Sequence, residues 1–283
     1  MKQLTIPALI LLIAFAGCKR QSPDDKTLTL EKNKTATELQ QQADSTFRKN
    51  EYMVLGVLYH QQAAEYRALC YQAYNTGRMM LDKDLADKQV DKHRIIVLDV
   101  DETVLDNSPY QAECILKNIN YPTRWDEWCQ KASAEAVPGS LEFLNYAKGY
   151  GVSIFYVTNR KDHLKDVTIK NLQKLGFPNA DPEHVITRTT DNSKEGRRKA
   201  LVEKYHISLL FGDNLGDFSY LFDEKPNAAR SAAVDDVKNE FGKRFIVLPN
   251  SMYGDWEPNL YGDNIKGSDS LKSVLRLKGL KGF

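Results

Sequence analysis

Apolar positions along this chain fall into three kinds of pattern. Residues 4–17 form one near-continuous apolar run, broken only by Thr5 and Pro7. Leu55, Tyr59, Ala63, Tyr66, Cys70 and Ala73 then recur every three or four residues, which predicts a single apolar helix face over several turns. Gly77 lies on the same line and would permit close packing; the tyrosines of this stripe read as core. An earlier helix is expected over 36–49. From residue 95 onward the apolar runs become short and β-branched. Strands at 95–98, 152–157, 184–187, 209–211 and 245–248 are expected to alternate with helices at 140–148, 161–175, 194–205 and about 228–241. That alternation predicts an α/β fold: a mostly parallel sheet with helices on both faces.

The alternation is interrupted once. Residues 107–137, which hold Tyr110, Tyr121, Trp125 and Trp128, intervene before Pro138-Gly139 opens the next helix. The organisation that follows is a leader (1–17), a polar tether (18–35), N-terminal helices (36–92), a core in two pieces (93–106 and 138–250), an insert (107–137) and a C-terminal segment (251–283). That last segment is Lys- and Leu-rich from Gly267, with one short helix. Without its leader, the chain keeps roughly 265 residues, enough for one elaborated α/β domain. The formal net charge is +1, and no basic stripe runs along any predicted element. A nucleic-acid polymer is therefore not an expected partner, and the oligomeric state is left open.

Chemistry collects at the predicted strand ends. The run Ile95-Ile96-Val97-Leu98 leads into Asp99-Val100-Asp101-Glu102-Thr103-Val104-Leu105-Asp106. In open α/β sheets, ligands bind at the carboxyl ends of strands. The strand at 152–157 ends in Thr158-Asn159-Arg160, where a phosphate could rest. Asp191-Asn192-Ser193-Lys194-Glu195 reads as a helix start, with Ser193 as cap and Lys194 in the first turn. A lysine there opposes the helix dipole unless an anion sits beside it. Finally 208–211 runs into Gly212-Asp213-Asn214-Leu215-Gly216-Asp217. Two carboxylates ~4 Å apart repel by roughly 4 kcal/mol at an effective dielectric of 20. Asp99, Asp213 and Asp217 would thus need protons or a cation, and an oxygen-only donor set suits Mg²⁺.

These motifs resemble the haloacid dehalogenase superfamily and, more closely, the class C acid phosphatases, which include bacterial outer-membrane lipoprotein 5′-nucleotidases. Residues 99–110, Ala136-Val137-Pro138-Gly139, 155–160, Gly212-Asp213-Asn214-Leu215 and Leu248-Pro249-Asn250 through Tyr253-Gly254 carry the similarity. It implies a Rossmann-like core with a small, mainly α-helical cap built from the insert and the N-terminal helices. It also implies a Mg²⁺-dependent acid phosphomonoesterase, with Asp99 as nucleophile and Asp101 as acid and base. Thr158 and Lys194 would hold the phosphoryl group, with Asn159 at the substrate. Asp213 would ligate the metal with Asp99 and the Asp101 backbone carbonyl, and Asp217 would support them. Aromatic side chains hold a nucleobase in that family. Tyr253 matches one of them, and Tyr121 or Trp125 would supply the other. The expected substrate is a nucleoside 5′-monophosphate. Two alternatives stand beside it: a broad acid phosphatase or phosphotransferase on non-nucleotide esters, and a surface lipoprotein that only binds phosphate esters.

The N-terminus bears on location. Met1-Lys2 and the apolar run end in Phe15-Ala16-Gly17-Cys18, which resembles a bacterial lipobox: too short to span a bilayer and closed by small residues. Cys18 would be lipidated after cleavage. Lys19 follows it, so the common inner-membrane retention signal is absent. A lipid anchor in the bacterial outer membrane is expected, facing either the periplasm or the surface. Of the four cysteines, Cys70, Cys114 and Cys129 remain, allowing at most one disulfide; Cys114 with Cys129, both in the insert, is the pair considered.

Overall fold

The computed structural model describes residues 50–223 and 225–283. The expected leader, Cys18, the tether and the helix at 36–49 lie outside the described residues. In chain order the helices are α1 (Val54–Gln62), α2 (Ala64–Ala86), α3 (Ser108–Leu116), α4 (Trp125–Lys131), α5 (Ser140–Gly149), α6 (Lys165–Leu175), α7 (Glu195–Lys204), α8 (Asn227–Asp236), α9 (Pro258–Tyr261) and α10 (Asp269–Lys278). The strands are β1 (Arg94–Leu98), β2 (Leu105–Asp106), β3 (Glu135–Ala136), β4 (Ser153–Lys161), β5 (Val185–Arg188), β6 (His206–Gly212) and β7 (Phe245–Val247). None of the described helices is long and apolar enough to cross a membrane.

Five strands form one parallel sheet in the order β5-β4-β1-β6-β7. After β1 the chain fills one side of the sheet, then crosses to the other at β6. The carboxyl end of β1 therefore lies at a switch point, where the flanking connections diverge and leave a crevice. Side chains alternate faces along each strand. Ile96, Leu98, Ile154, Tyr156, Leu209 and Phe211 join one apolar layer with Tyr74, Leu81, Phe143 and Leu172. Ile95, Val97, Phe155, Val157 and Leu210 join the other with Leu201, Phe218, Phe222 and Ala233. The strand runs are apolar throughout because both faces are covered.

The N-terminal stripe does not form one helix. Ala63 is extended (φ −77°, ψ 127°), which ends α1 and starts α2 afresh. The two pieces serve different neighbours. α1 packs on α3 in the insert, whereas α2 lies on the sheet and α5. Leu55 consequently stays exposed while Tyr66, Cys70 and Ala73 are buried. Gly77 is where α2 meets the sheet: a Cβ there would come 3.0 Å from Phe211 Cε1, and the Tyr74 ring stacks on Phe211 at 5.3 Å.

Other boundaries shift for local reasons. β4 continues through Lys161 instead of ending at Val157, with a register irregularity against β5. A 3₁₀ turn (Asp162–Leu164) precedes α6, and α8 gives way to another (Lys238–Glu240) before Phe241 packs edge-on to Phe218 and Phe245. β2 and β3 pair antiparallel at the two ends of the insert, so residues 107–134 leave the core and return at one point.

Candidate active site

Asp99 directly follows β1, and its backbone N–H donates to Phe211 O on β6 at 3.0 Å. At the end of β6, Gly212 leaves room for a carboxylate: a Cβ on it would lie 2.6 Å from Asp217 Cγ. Asp217 is fixed by a reciprocal cap. The Asn214 N–H donates to Asp217 Oδ2 at 3.0 Å, and the Asp217 N–H donates back to Asn214 O at 2.9 Å. Asp99, Asp213 and Asp217 thereby offer one oxygen each within 4.8 Å of one another. Asn250 Nδ2 donates to Asp213 Oδ2 at 2.8 Å.

Lys194 enters this cluster, but not from the first helical turn. It occupies the N-cap position of α7 and makes no side-chain cap of its own. Ser193, one residue earlier, accepts the Glu195 N–H at 3.3 Å while its hydroxyl donates to Asp223 at 2.6 Å. The Lys194 ammonium is buried. It donates to Asp217 Oδ1 at 2.6 Å and also to Asp99 Oδ1. Burial works against its charge, but Asp217 and Asp99 outweigh that and hold its pKa above the ordinary lysine value. Burial pushes Asp99 up, with Lys194 opposing and Asp217 and Asp101 adding to the rise. Asp213 is pushed well above the carboxylate range by burial, then by Asp217 and Asp99.

With all three carboxylates ionised, one ammonium would leave two negative charges in excess, and burial together with that excess pushes the Asp99 and Asp213 carboxyls toward their protonated forms. Asp213 has no ion pair among the described residues. A divalent cation on oxygen-only ligands would supply the missing charge, so the donor set fits Mg²⁺.

Asp101 sits across the crevice in a network that the motif alone did not assign. Arg160 Nε donates to Asp101 Oδ1 at 2.9 Å, and Arg160 Nη2 lies 2.8 Å from the same oxygen. Asn107 Nδ2 donates to that oxygen too, at 2.8 Å. Asp101 Oδ2 has the Thr158 hydroxyl at 3.3 Å. Thr158 is buried, accepts the Arg160 N–H at 3.0 Å, and has its carbonyl held by Arg197 at 2.7 Å. Asn159 alternates outward and is exposed; Arg197 donates to its Oδ1 at 2.6 Å. Glu102, fully buried at φ 54°, accepts the Asn107 N–H at 2.7 Å and the Tyr253 hydroxyl.

Asp99, Asp101, Lys194, Asp213 and Asp217 all line one cavity of about 590 Å³, within the usual range for small-molecule sites. Its walls include Tyr253, Tyr121 and Trp125, and Asn159 also lines it. Tyr253 is half-buried. Tyr121 is 60% exposed and meets Trp125 edge-on at 5.8 Å, and Trp125 in turn meets Tyr110 edge-on at 4.9 Å. Cys70, Cys114 and Cys129 are buried and free. The pairing considered for Cys114 and Cys129 is therefore not made: Cys129, on α4, packs with Ala132, Leu164 and Val167.

Comparison with known proteins bears on the same residues. Residues 18–256 match the family model of subfamily IIIB (acid phosphatase) of the haloacid dehalogenase superfamily. Among curated relatives, acid phosphatase 1 of Solanum lycopersicum is 30% identical over 62% of this chain and 64% of its own length. A stem 31 kDa glycoprotein of Glycine max is 30% identical over 59% of this chain and 62% of its own length. The chain thus spans somewhat under two thirds of these plant relatives. The solved class C acid phosphatase from Bacillus anthracis is 47% identical, with a TM-score of 0.81, covering 84% of this chain and 100% of that one; a second structure of it has tungstate bound. Sheet order, strand-end carboxylates and family match agree, and the chain belongs to subfamily IIIB of the haloacid dehalogenase superfamily, the acid phosphatases.

Proposed function

We propose that this protein is an acid phosphomonoesterase that works through an aspartyl-phosphate. The observation that carries this reading is the meeting of Asp99, Asp101, Lys194 and Asp213 on one cavity. The Asp99 carboxylate, kept partly neutralised by Lys194, attacks phosphorus. Oδ1 of Asp101 is taken up by Arg160 and Asn107 donors, so the transferable proton belongs on Oδ2. It passes to the departing ester oxygen as the P–O bond breaks. Oδ2, now ionised, takes a proton from the water that attacks the aspartyl-phosphate, releasing phosphate and restoring Asp99. Thr158, pinned by Arg160 and Arg197, donates its hydroxyl to Asp101 Oδ2 at 3.3 Å, so it acts on the transferring group through that carboxyl. Mg²⁺ held by Asp99, Asp213 and the Asp101 carbonyl, with Asp217 behind them, would stabilise the charge that accumulates on the phosphoryl oxygens. Tungstate bound to the Bacillus anthracis relative supports a site for tetrahedral oxyanions in this fold.

As substrate we propose a nucleoside 5′-monophosphate, its base against Tyr253 and either Trp125 or Tyr121. A second reading, broad action on non-nucleotide esters or phosphotransfer, is favoured by the edge-on, exposed placement of Tyr121. We further propose lipidation at Cys18 and an outer-membrane location, supported by the lipobox-like Phe15-Ala16-Gly17-Cys18 and by Lys19. The test is a panel of phosphomonoesters assayed with purified protein, across pH, before and after chelation. Hydrolysis restored by Mg²⁺, fastest with nucleotides at acidic pH, is expected. Equal rates on glycerol phosphate and nucleotides would favour the second reading, and activity untouched by chelation would remove the metal.

A further inference from the structure

Asn107 joins the insert to Asp101, and its amide can face only one way. Its Oδ1 accepts from Trp128 Nε1 at 2.8 Å and from Arg160 Nη2 at 3.3 Å. Both of those groups are donors only, so the carbonyl end of the amide must point at them. Its Nδ2 is then directed at Asp101 Oδ1. Asn107 is fully buried, so no water can exchange for these partners. Its backbone N–H is held by Glu102 Oε1 at 2.7 Å, and its carbonyl accepts from Tyr110 and Gln111 at the start of α3.

Two of these contacts lead to α4, the helix that the insert places beside the cavity. Trp128 reaches Asp101 through Asn107. Trp125, itself a wall of the cavity, has the Arg160 guanidinium carbon 5.4 Å from its ring centroid, and Arg160 grips the same Asp101 oxygen. The α4 wall of the cavity is thereby connected to the carboxylate that would protonate a leaving group there.

We propose that Asn107 is a positioning residue for Asp101, oriented by the Trp128 indole N–H, so that helix α4 of the insert sets the aim of the Asp101 carboxyl at the leaving-group oxygen. This rests on Asp101 acting as the general acid. Arg160 holds Oδ1 from one side and Asn107 adds a second donor on the same oxygen, which fixes which oxygen of the carboxyl is taken up. Oδ2 is left to the Thr158 hydroxyl at 3.3 Å and to the ester. The role needs a neutral amide. A carboxylate at 107 would face Asp101 and repel it, and an apolar residue would leave the Trp128 N–H without an acceptor.

The experiment measures single-turnover phosphoryl transfer on two esters, adenosine 5′-monophosphate with its alkoxide leaving group and p-nitrophenyl phosphate with its stable phenolate. Wild type, Asp101→Asn, Asn107→Ala, Trp128→Phe and the double variant Asp101→Asn/Asn107→Ala are compared. Asn107→Ala should lose ~30-fold on the alkyl ester and ~3-fold or less on the aryl ester, a fraction of the 10²–10⁴ that a general acid supplies. Trp128→Phe removes the donor and trims the indole to a single ring, and a packing loss would slow both esters alike; it should therefore show the same selectivity at ~3- to 10-fold, within the range of one lost hydrogen bond. The double variant should be no slower than Asp101→Asn alone, since nothing remains to be positioned.

Equal losses on both esters, or additive losses in the double variant, would overturn the proposal, because a merely structural role predicts both. Should Asn107→Ala fail to fold, Trp128→Phe carries the same contrast. If Asp101→Asn itself loses equally on both esters, the general-acid reading falls and this role falls with it. If Asp101→Asn is selective and the other two are not, only the positioning role is lost.

Discussion

Asp99 and Tyr253 are the side chains whose replacement separates chemistry from recognition. Asp99→Asn should abolish hydrolysis while leaving a folded protein, because the amide is a poor nucleophile and a poor ligand. A purified variant retaining more than ~1% of wild-type turnover would contradict nucleophilic attack by Asp99. Tyr253 is held by Glu102 and lines the cavity, while its flank packs against the small apolar cluster of Val57, Ile115 and Met252. If a base stacks on it, Tyr253→Ala should lower kcat/KM for nucleoside monophosphates tenfold or more, near the ~1–3 kcal/mol of one stacking contact. Glycerol phosphate, which has nothing to stack, should be spared, and purines and pyrimidines should suffer alike. Parallel loss on all esters would assign Tyr253 to packing.

The close seat of α2 on the sheet makes its own claim. Gly77→Ala puts a methyl group against Phe211, which is already stacked on Tyr74 and packed at a tilt against Phe143. Overpacking of this kind costs ~1–3 kcal/mol, so thermal unfolding should move down by several degrees with activity per folded molecule unchanged. An unchanged midpoint would mean that the helix simply slides outward. The contact was legible in the sequence because a glycine stood on the apolar stripe. The break at Ala63 was not, since neither glycine nor proline marks it; the chain bends because α1 and α2 have different partners. The four strand ends were legible for a related reason: apolar runs locate strands, and carboxylates just past them can only face the crevice. Arg160 and Asn107 escaped assignment although both were in view. Arg160 lies inside β4, where alternation past Val157 sends Thr158 and Arg160 inward and Asn159 outward. A buried arginine asks for an acid, and only tertiary proximity names Asp101.

Distant parts of the molecule meet at His60. From α1, its Nε2 accepts the Ser251 N–H at 3.2 Å, next to the loop that supplies Asn250 and Tyr253. Its ring lies 4.2 Å from Tyr66, and its buried Nδ1 has no hydrogen-bond partner among the described residues. Burial lowers its pKa from 6.5 to about 4, so the folded state holds it neutral. The unfolded chain takes up the proton first as pH falls. The contribution of neutral His60 is therefore complete above about pH 6.5, declines below it, and is gone below about pH 4, a total of ~3 kcal/mol. His60→Gln can still accept from Ser251 but does not titrate. Its stability, followed by urea unfolding, should fall less steeply between pH 6.5 and 4 than that of the wild type. Parallel curves would show that His60 is not the group responsible. For an enzyme proposed to work in acid, this sets a limit on the working range. Further toward the N-terminus, Cys18→Ser should abolish fatty-acid labelling and leave the hydrolytic rate unchanged; label that persists would place the anchor elsewhere.

The two-residue pairing of β2 with β3 gives the insert the character of a cassette. Its ends are already joined, so a longer or shorter segment adds only a slowly growing closure entropy, and the sheet need not register the change. Recombination between relatives could exchange whole inserts, and with them the shape offered to the leaving group, without redesigning the core. One constraint travels with every such graft. A donor must arrive where the Trp128 indole now stands, or the transplanted pocket will bind its new ester and then wait for a proton.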